Sequence, residues 1–141
     1  MKILIAVDGS RYTKRMLAYL AAHDESFGST QNQFTVLTVV PPIPARAAHA
    51  LGKKIVHDHY AEEAQAIFKP IRAFLAKTGL AAEFEHRMGN AGEHIADVAH
   101  KGRFDLVMMG SHGHGALASL VVGSVTARVL ASCQVPLLIV R

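Results

Sequence analysis

The chain has 141 residues, half of them hydrophobic, with 15 Lys and Arg against 11 Asp and Glu for a net charge of +4. That length suits a single domain over 1–141 that buries roughly two-thirds of its unfolded surface, and no run approaches the ~20 apolar residues of a membrane span. The basic residues are scattered, Arg11-Lys14-Arg15 and Lys53-Lys54 being the densest groups, without the interleaved aromatics of a nucleic-acid-binding stripe, so neither a membrane nor a nucleic acid is expected as a partner.

Lys2 to Val7 is an apolar run rich in β-branched residues and closed by Asp8, a first strand buried on both faces as in a parallel sheet. This opening is too short for the apolar region of a signal peptide, and a cytoplasmic protein is expected. Ser10 is placed to cap a helix whose inward stripe is Thr13, Leu17, Leu20 and Ala21. Asp24 to Gln33 is polar and reads as a connecting loop. Phe34 to Val40 is a second strand stopped by Pro41-Pro42. Residues 41 to 56 hold three prolines and no stable period, and read as a long loop with a helical turn near Ala47.

From His57 to Lys77 the spacing of Tyr60, Ala64, Ile67, Ile71 and Phe74 predicts an amphipathic helix, kinked at Pro70 and closed by Gly79. Ala81 to Arg87 sets Ala82, Phe84 and His86 against Glu83, Glu85 and Arg87, the alternation of an edge strand with one face exposed. Asn90 and Glu93 form a capping-box variant that opens a helix with Ile95, Val98 and Ala99 inward and Gly102 as its stop. Asp105 to Met109 is a short buried strand that breaks into Gly110-Ser-His-Gly113-His-Gly115. After Gly123-Ser124, residues Val125, Val129, Leu130 and Cys133 recur at helical spacing, which makes the lone Cys133 a buried, inert thiol. Val135 to Val140 is strand five.

This βαβαβαβαβ alternation defines an α/β fold, a doubly wound five-stranded parallel sheet with helices on both faces. With strand three at an edge and right-handed crossovers, the order is 3-2-1-4-5, and the winding reverses between strands one and four. Asp8 ends strand one and Gly110 ends strand four, so the acid and the glycine loop should face each other across that crevice. Asp also serves as a plain turn residue at strand ends, but its place opposite the glycines favours a ligand role.

A glycine loop running into a helix suits an anion. Glycine permits positive φ and close approach, and the first helical turn has unpaired N–H groups. Main-chain amides at Gly113, Gly123, Ser124 and Val125 are placed to cradle a phosphate, while Ser124 would also serve as a helix N-cap. No Lys follows these glycines as a P-loop requires, and the first strand runs into Asp8-Gly9-Ser10 rather than G-x-G-x-x-G. The spacing that remains is G-x-x-G, nine residues, G-[ST], carried by Gly110, Gly113, Gly123 and Ser124. It resembles the ATP-binding signature of the universal stress protein family. The opening Met1-Lys-Ile-Leu-Ile-Ala-Val-Asp-Gly-Ser10 and the closing Pro136-Leu-Leu-Ile-Val-Arg141 resemble that family too, so the likeness covers the whole chain.

The resemblance implies a regulatory protein that binds ATP, ADP or AMP; Mg2+ would accompany the triphosphate, taking most of its ligands from phosphate and water, and because the loop has no Lys of its own hydrolysis is expected to be slow or absent. It implies that Asp8 contacts the nucleoside, that the main chain at Val39 meets the adenine, and that Met109, Gly110, Gly113, Gly123, Ser124 and Val125 hold ribose and phosphates. Ala6 stands where some ATP-binding members have proline. His112 and His114 lie inside the loop, where a protonated imidazole can donate to a phosphate and where a histidine can equally be a solvated loop residue with no ligand role.

The His57-Asp58-His59 and His112-Gly113-His114 pairs lack a third ligand at usable spacing, so no resident metal is expected, and no catalytic side chain is identified. Strand five is apolar and uncharged before Arg141, a poor edge to leave open. A homodimer through Val135 to Val140 closes it, as the resemblance also implies. Two other readings carry over from the residues: a stress-response dimer acting through contacts with an unknown protein partner or as a chaperone, and a weak nucleotide hydrolase.

Overall fold

The structure, a computed structural model, describes residues 1–28, 30–115 and 121–141. Five parallel strands form one sheet in the order β3-β2-β1-β4-β5, as the alternation predicts. They are β1 (Lys2–Val7), β2 (Gln33–Val40), β3 (Ala82–Met88), β4 (Leu106–Gly110) and β5 (Leu137–Val140). Strands β4 and β5 are displaced from the predicted bounds: Gly110 belongs to β4, and Val135 and Pro136 precede β5.

Alternation along the central strands sorts the core into two layers. Ile3, Ile5 and Val7 on β1, with Phe34, Val36 and Val40 on β2, pack against α1 (Arg11–Ala22) and α4 (Lys53–Thr78). Leu4, Ala6, Leu37, Val107 and Met109 point the other way, against α5 (Ala91–Lys101) and α6 (Ser124–Ser132). Both faces of the sheet are thereby covered over β1, β2 and β4. On β3 the helix side is Ala82 and Phe84, packed on the core, while Glu83 and Arg87 are exposed, which agrees with an edge strand.

The caps follow local chemistry. Ser10 Oγ accepts from the N–H of Tyr12 and Thr13, and Asn90 Oδ1 accepts from Glu93 N–H at 3.2 Å. Gly79 ends α4 at φ +71°, where a β-carbon would be strained. The inward stripe of α1 also contains Tyr12 and Met16, and Ala21 is only half-buried. On α4 the buried residues are Tyr60, Ala64, Phe68, Ile71 and Leu75, with Ile67 and Phe74 at the flank rather than the centre.

Several expectations are corrected. The polar stretch after α1 contains a short helix, α2 (Asp24–Phe27), that buries Phe27. Segment 41–56 is not a long loop: it carries α3 (Ala45–Leu51), and α4 begins already at Lys53, with Gly52 at φ +82° turning the chain between them. Alanine is the strongest helix former and forms helix here without an apolar stripe; α3 buries no residue. Helix α4 continues through Pro70. On α6 the buried residues are Thr126 and Val129, whereas Val125 and Leu130 are exposed. Cys133 lies just past α6, half-buried, its thiol donating to the Val135 carbonyl at 3.8 Å.

Among the described residues, no helix is long and apolar enough to cross a membrane.

Candidate functional site

At the carboxyl ends of β1 and β4 the chain turns away in opposite directions, as happens at a topological switch point. After β1, Gly9 takes φ +76°, and the turn is fixed by Asp8. Its Oδ1 accepts the Ser10 N–H at 2.9 Å and the Thr13 hydroxyl at 3.0 Å, while its own N–H donates to Thr13 Oγ1 at 3.1 Å. One carboxylate oxygen is thus tied to α1, and the other, Oδ2, lies on the side of Gly113.

Across the crevice the glycines are required by space. Gly110, Gly113 and Gly123 all lie outside the positive-φ region, so torsional freedom is not their reason here. A β-carbon on Gly110 would stand 2.6 Å from Tyr12 Cβ, one on Gly113 2.7 Å from Asp8 Oδ2, and one on Gly123 3.2 Å from His112 Cα. Buried Thr126 fixes the loop to α6 by donating to the Gly110 and Ser111 carbonyls, at 3.1 Å each.

The helix terminus differs from the sequence reading in two respects. The N-cap is Gly123, and Ser124 is the first helical residue. The Gly123 N–H is already given to the Ser111 carbonyl at 2.8 Å, so it is not part of an anion cradle. The first main-chain bond that opens α6 is Ala127 N–H to Gly123 O at 2.9 Å. The N–H groups of Ser124, Val125 and Thr126 precede it, and no side chain caps them. An uncapped first turn that opens on a cavity is the local setting in which an anion is held.

On β2, the Val40 carbonyl accepts the Gly89 N–H at 3.0 Å, so the Val39 carbonyl is turned to the other side, toward β1. There β1 has ended, the last register pair being Val7 with Thr38. Past that pair the Val39 carbonyl has no β1 residue in register with it, and Val39 lines a cavity.

These groups surround one cavity of about 210 Å3. All nine positions singled out in the sequence line it: Ala6, Asp8 and Val39 on one side, Met109, Gly110 and Gly113 on the other, and Gly123, Ser124 and Val125 at the helix terminus. The sequence reading missed the inner apolar wall, Leu37 from β2 with Ala91 and Ile95 from α5, and the polar Thr13 and Thr126. The apolar ones carry only a core pattern in the sequence, and nothing in that pattern separates a cavity wall from ordinary packing. His112 also lines the cavity, its Nδ1 3.0 Å from Ser111 Oγ, and the exposed His114 sets Nε2 2.7 Å from the Asp8 carbonyl. Among the described residues, no group of three or more His, Cys, Asp or Glu side chains is arranged to hold a metal ion.

Fold and cavity together define a doubly wound α/β domain with a cleft at its switch point, walled by apolar side chains on one side and by main-chain amides on the other. The model of the universal stress protein family matches residues 1–141. The chain belongs to the universal stress protein family. It is 30% identical over 140 residues to a universal stress protein of Thermus aquaticus, covering 99% of this chain and 97% of that one. It is 31% identical to universal stress protein Slr1230 of Synechocystis, and it spans 42% of that protein's length. Among solved structures, hypothetical protein MJ0577 superposes with a TM-score of 0.81 at 25% identity, covering 99% of this chain and 94% of that one. The same fold occurs in an Arabidopsis thaliana family member solved with AMP bound, at a TM-score of 0.69 and 14% identity, covering 99% and 90% of the two chains. It occurs also in a universal stress protein solved in complex with cAMP, at 0.66 and 18%, covering 100% and 96%.

Proposed function

We propose that this chain is an adenine-nucleotide-binding regulatory protein of the stress response, holding ATP, ADP or AMP in the cleft between β1 and β4 and turning it over slowly or not at all. The observation that carries this reading is the convergence on one cavity of an apolar slot, a single carboxylate and an uncapped helix terminus. At about 210 Å3 the enclosed space is below the ~300 Å3 at which whole-ligand pockets begin. It takes the base and part of the ribose, and leaves the phosphates outside at the α6 terminus. The base lies among Leu37, Val39 and Ile95, the ribose meets Asp8, and Met109, Gly110 and Gly113 form the floor. The phosphates meet the amides of Ser124, Val125 and Thr126. Mg2+ bound with a triphosphate would take most of its ligands from phosphate and water. The AMP-bound and cAMP-bound relatives of the same fold support an adenine nucleotide as the ligand class.

The Val39 carbonyl is an acceptor, and so it complements the 6-amino group of adenine and opposes the 6-oxo group of guanine. Calorimetry is expected to show ATP binding and at least a tenfold weaker GTP, the difference of about one hydrogen bond and one unpaired acceptor. Equal affinity for both would sink this pose. Absence of heat with ATP, ADP and AMP alike would sink the reading as a whole. Among the described lining residues there is no Lys or Arg to stabilise a transferring phosphoryl group, which supports holding over hydrolysis.

The apolar edge supports a homodimer through β5. Its four residues are half-buried, and Val121, whose carbonyl accepts from Arg141 just past β5, is 72% exposed. Pairing β5 with its copy removes the open edge. Light scattering should give twice the 15.2 kDa of one chain. A mass of one chain at micromolar concentration would refute the dimer.

A further inference from the structure

We infer that Thr13 is the positioning residue that makes Asp8 a reader of the sugar: its hydroxyl fixes the carboxylate so that Oδ2 is offered to the cleft as the acceptor for a ribose hydroxyl, and the site thereby selects ribonucleotides. This rests on the functional reading above. The Asp8 N–H can only donate, so Thr13 Oγ1 accepts there at 3.1 Å, and its one hydrogen is left for Asp8 Oδ1 at 3.0 Å. Ser10 N–H reaches the same Oδ1 at 2.9 Å. An aspartate that only ends a strand needs no more than that bond to its own main chain two residues on. The Thr13 bond is additional. It comes from a side chain of α1 that is 4% exposed and lines the cavity. A single bond leaves a carboxylate free to swing, whereas a second, from a buried β-branched side chain with a stiff χ1, holds its plane.

With Oδ1 engaged by two donors, Oδ2 is the oxygen left for a ligand, and among the described residues none donates to it. Gly113 keeps its surroundings clear: a β-carbon there would be 2.7 Å from Oδ2, and its absence leaves open the space beside that oxygen, in the cavity that Asp8, Thr13 and Gly113 line together. An ionised carboxylate oxygen only accepts. The donors of an adenine nucleotide are the 6-amino group, which the proposed pose gives to the Val39 carbonyl, and the two ribose hydroxyls. Phosphate oxygens are turned away by like charge. Oδ2 therefore reads the hydroxyls, and Thr13 acts on the ligand through the carboxylate it orients.

The test is isothermal titration of the full chain with ATP and with 2′,3′-dideoxy-ATP, which lacks both hydroxyls, with folding checked by circular dichroism. Wild type should bind ATP about tenfold or more tighter than the dideoxy analogue, the effect of one hydrogen bond to a charged group. Thr13→Val keeps the branched shape without the hydroxyl, and Thr13→Ala removes the side chain without setting a methyl against Oδ1. Both should bring the ratio to about threefold or less, chiefly by weakening ATP. Thr13→Ser, which keeps the hydroxyl, should restore it. In an Asp8→Ala background, adding Thr13→Val should affect the two nucleotides equally. Thr13 that served packing alone would shift both nucleotides alike and leave the wild-type ratio in place in Thr13→Val and Thr13→Ala, which overturns the inference. So does a change of ratio that persists without Asp8, since the hydroxyl would then touch the ligand itself. Equal, measurable binding of both nucleotides by wild type overturns it while leaving the nucleotide reading intact, whereas no binding of either brings down that reading and this inference with it.

Discussion

Placing Ala at position 113 and Val at position 123 in one chain will abolish adenine-nucleotide binding while the sheet stays folded. Both positions leave little room for a side chain, against the Asp8 carboxylate at 113 and against main chain at 123. A β-carbon at 113 intrudes on Asp8 Oδ2, and one at 123 meets the main chain at His112 Cα, 3.2 Å away. Valine at 123 adds two methyl groups at the N-cap of α6, over the amides of Ser124 and Val125. Hydrogen bonds from main-chain amides to a charged phosphate are each worth about 1.5–3 kcal/mol, so displacing two of them weakens binding by roughly a hundredfold or more. Isothermal titration with ATP checks this, and an affinity within threefold of wild type would show that the loop is a tight turn and nothing more. The core layers lie below the loop, so the thermal midpoint should fall by only a few degrees.

Phe68→Ala should cost about 3–5 kcal/mol of folding free energy, the range for removing a large buried aromatic side chain. Phe68 is 1% exposed, meets Phe84 of β3 edge-on at 5.1 Å between ring centroids, and sits in the layer that joins α4 to β1 and β2. The Arg72 guanidinium lies over the Phe84 ring, 3.8 Å from its centroid, and over the Phe68 ring at 5.7 Å, so this substitution removes a cation–π contact as well as the buried ring. Urea unfolding followed by circular dichroism measures the loss. The neighbouring Ile67→Ala, at the flank of the same layer, should lose less than half as much. The reverse order would mean that α4 presents a different face to the sheet.

That contrast marks how far the sequence could be read. Strands β1 and β2 are plain in it because a strand buried on both faces becomes an unbroken apolar run. The strand order follows from the edge-like alternation of Glu83, Glu85 and Arg87 together with crossover handedness. Asp8 and the glycine signature, a hundred residues apart, are brought together by that order, which is why all nine chosen positions meet at one cavity. The face of α4 is legible only approximately: over 26 residues a 3.6-residue period fits Ile67 and Phe74 about as well as Phe68 and Leu75, and packing chooses between them. Helix α3 leaves no periodic trace because its alanines need none.

The role of the loop glycines is not legible either. A missing β-carbon serves torsion and close approach alike, and only coordinates tell them apart. Gly123, with its N–H spent on the Ser111 carbonyl, shows that a residue can stand in a binding signature while contributing room rather than a donor.

The two rims of the sheet are unlike. At β5 the rim is apolar, while at β3 it carries Glu83, Glu85 and Arg87, with Glu85 and Arg87 joined as an ion pair. Two copies joined along β5 therefore show the outside world only charged rims, each of which would have to strip water from fixed ions to accept another strand. In the proposed dimer, growth would halt at the pair, because a ten-stranded ribbon would end at both extremities in a charged strand that resists further pairing.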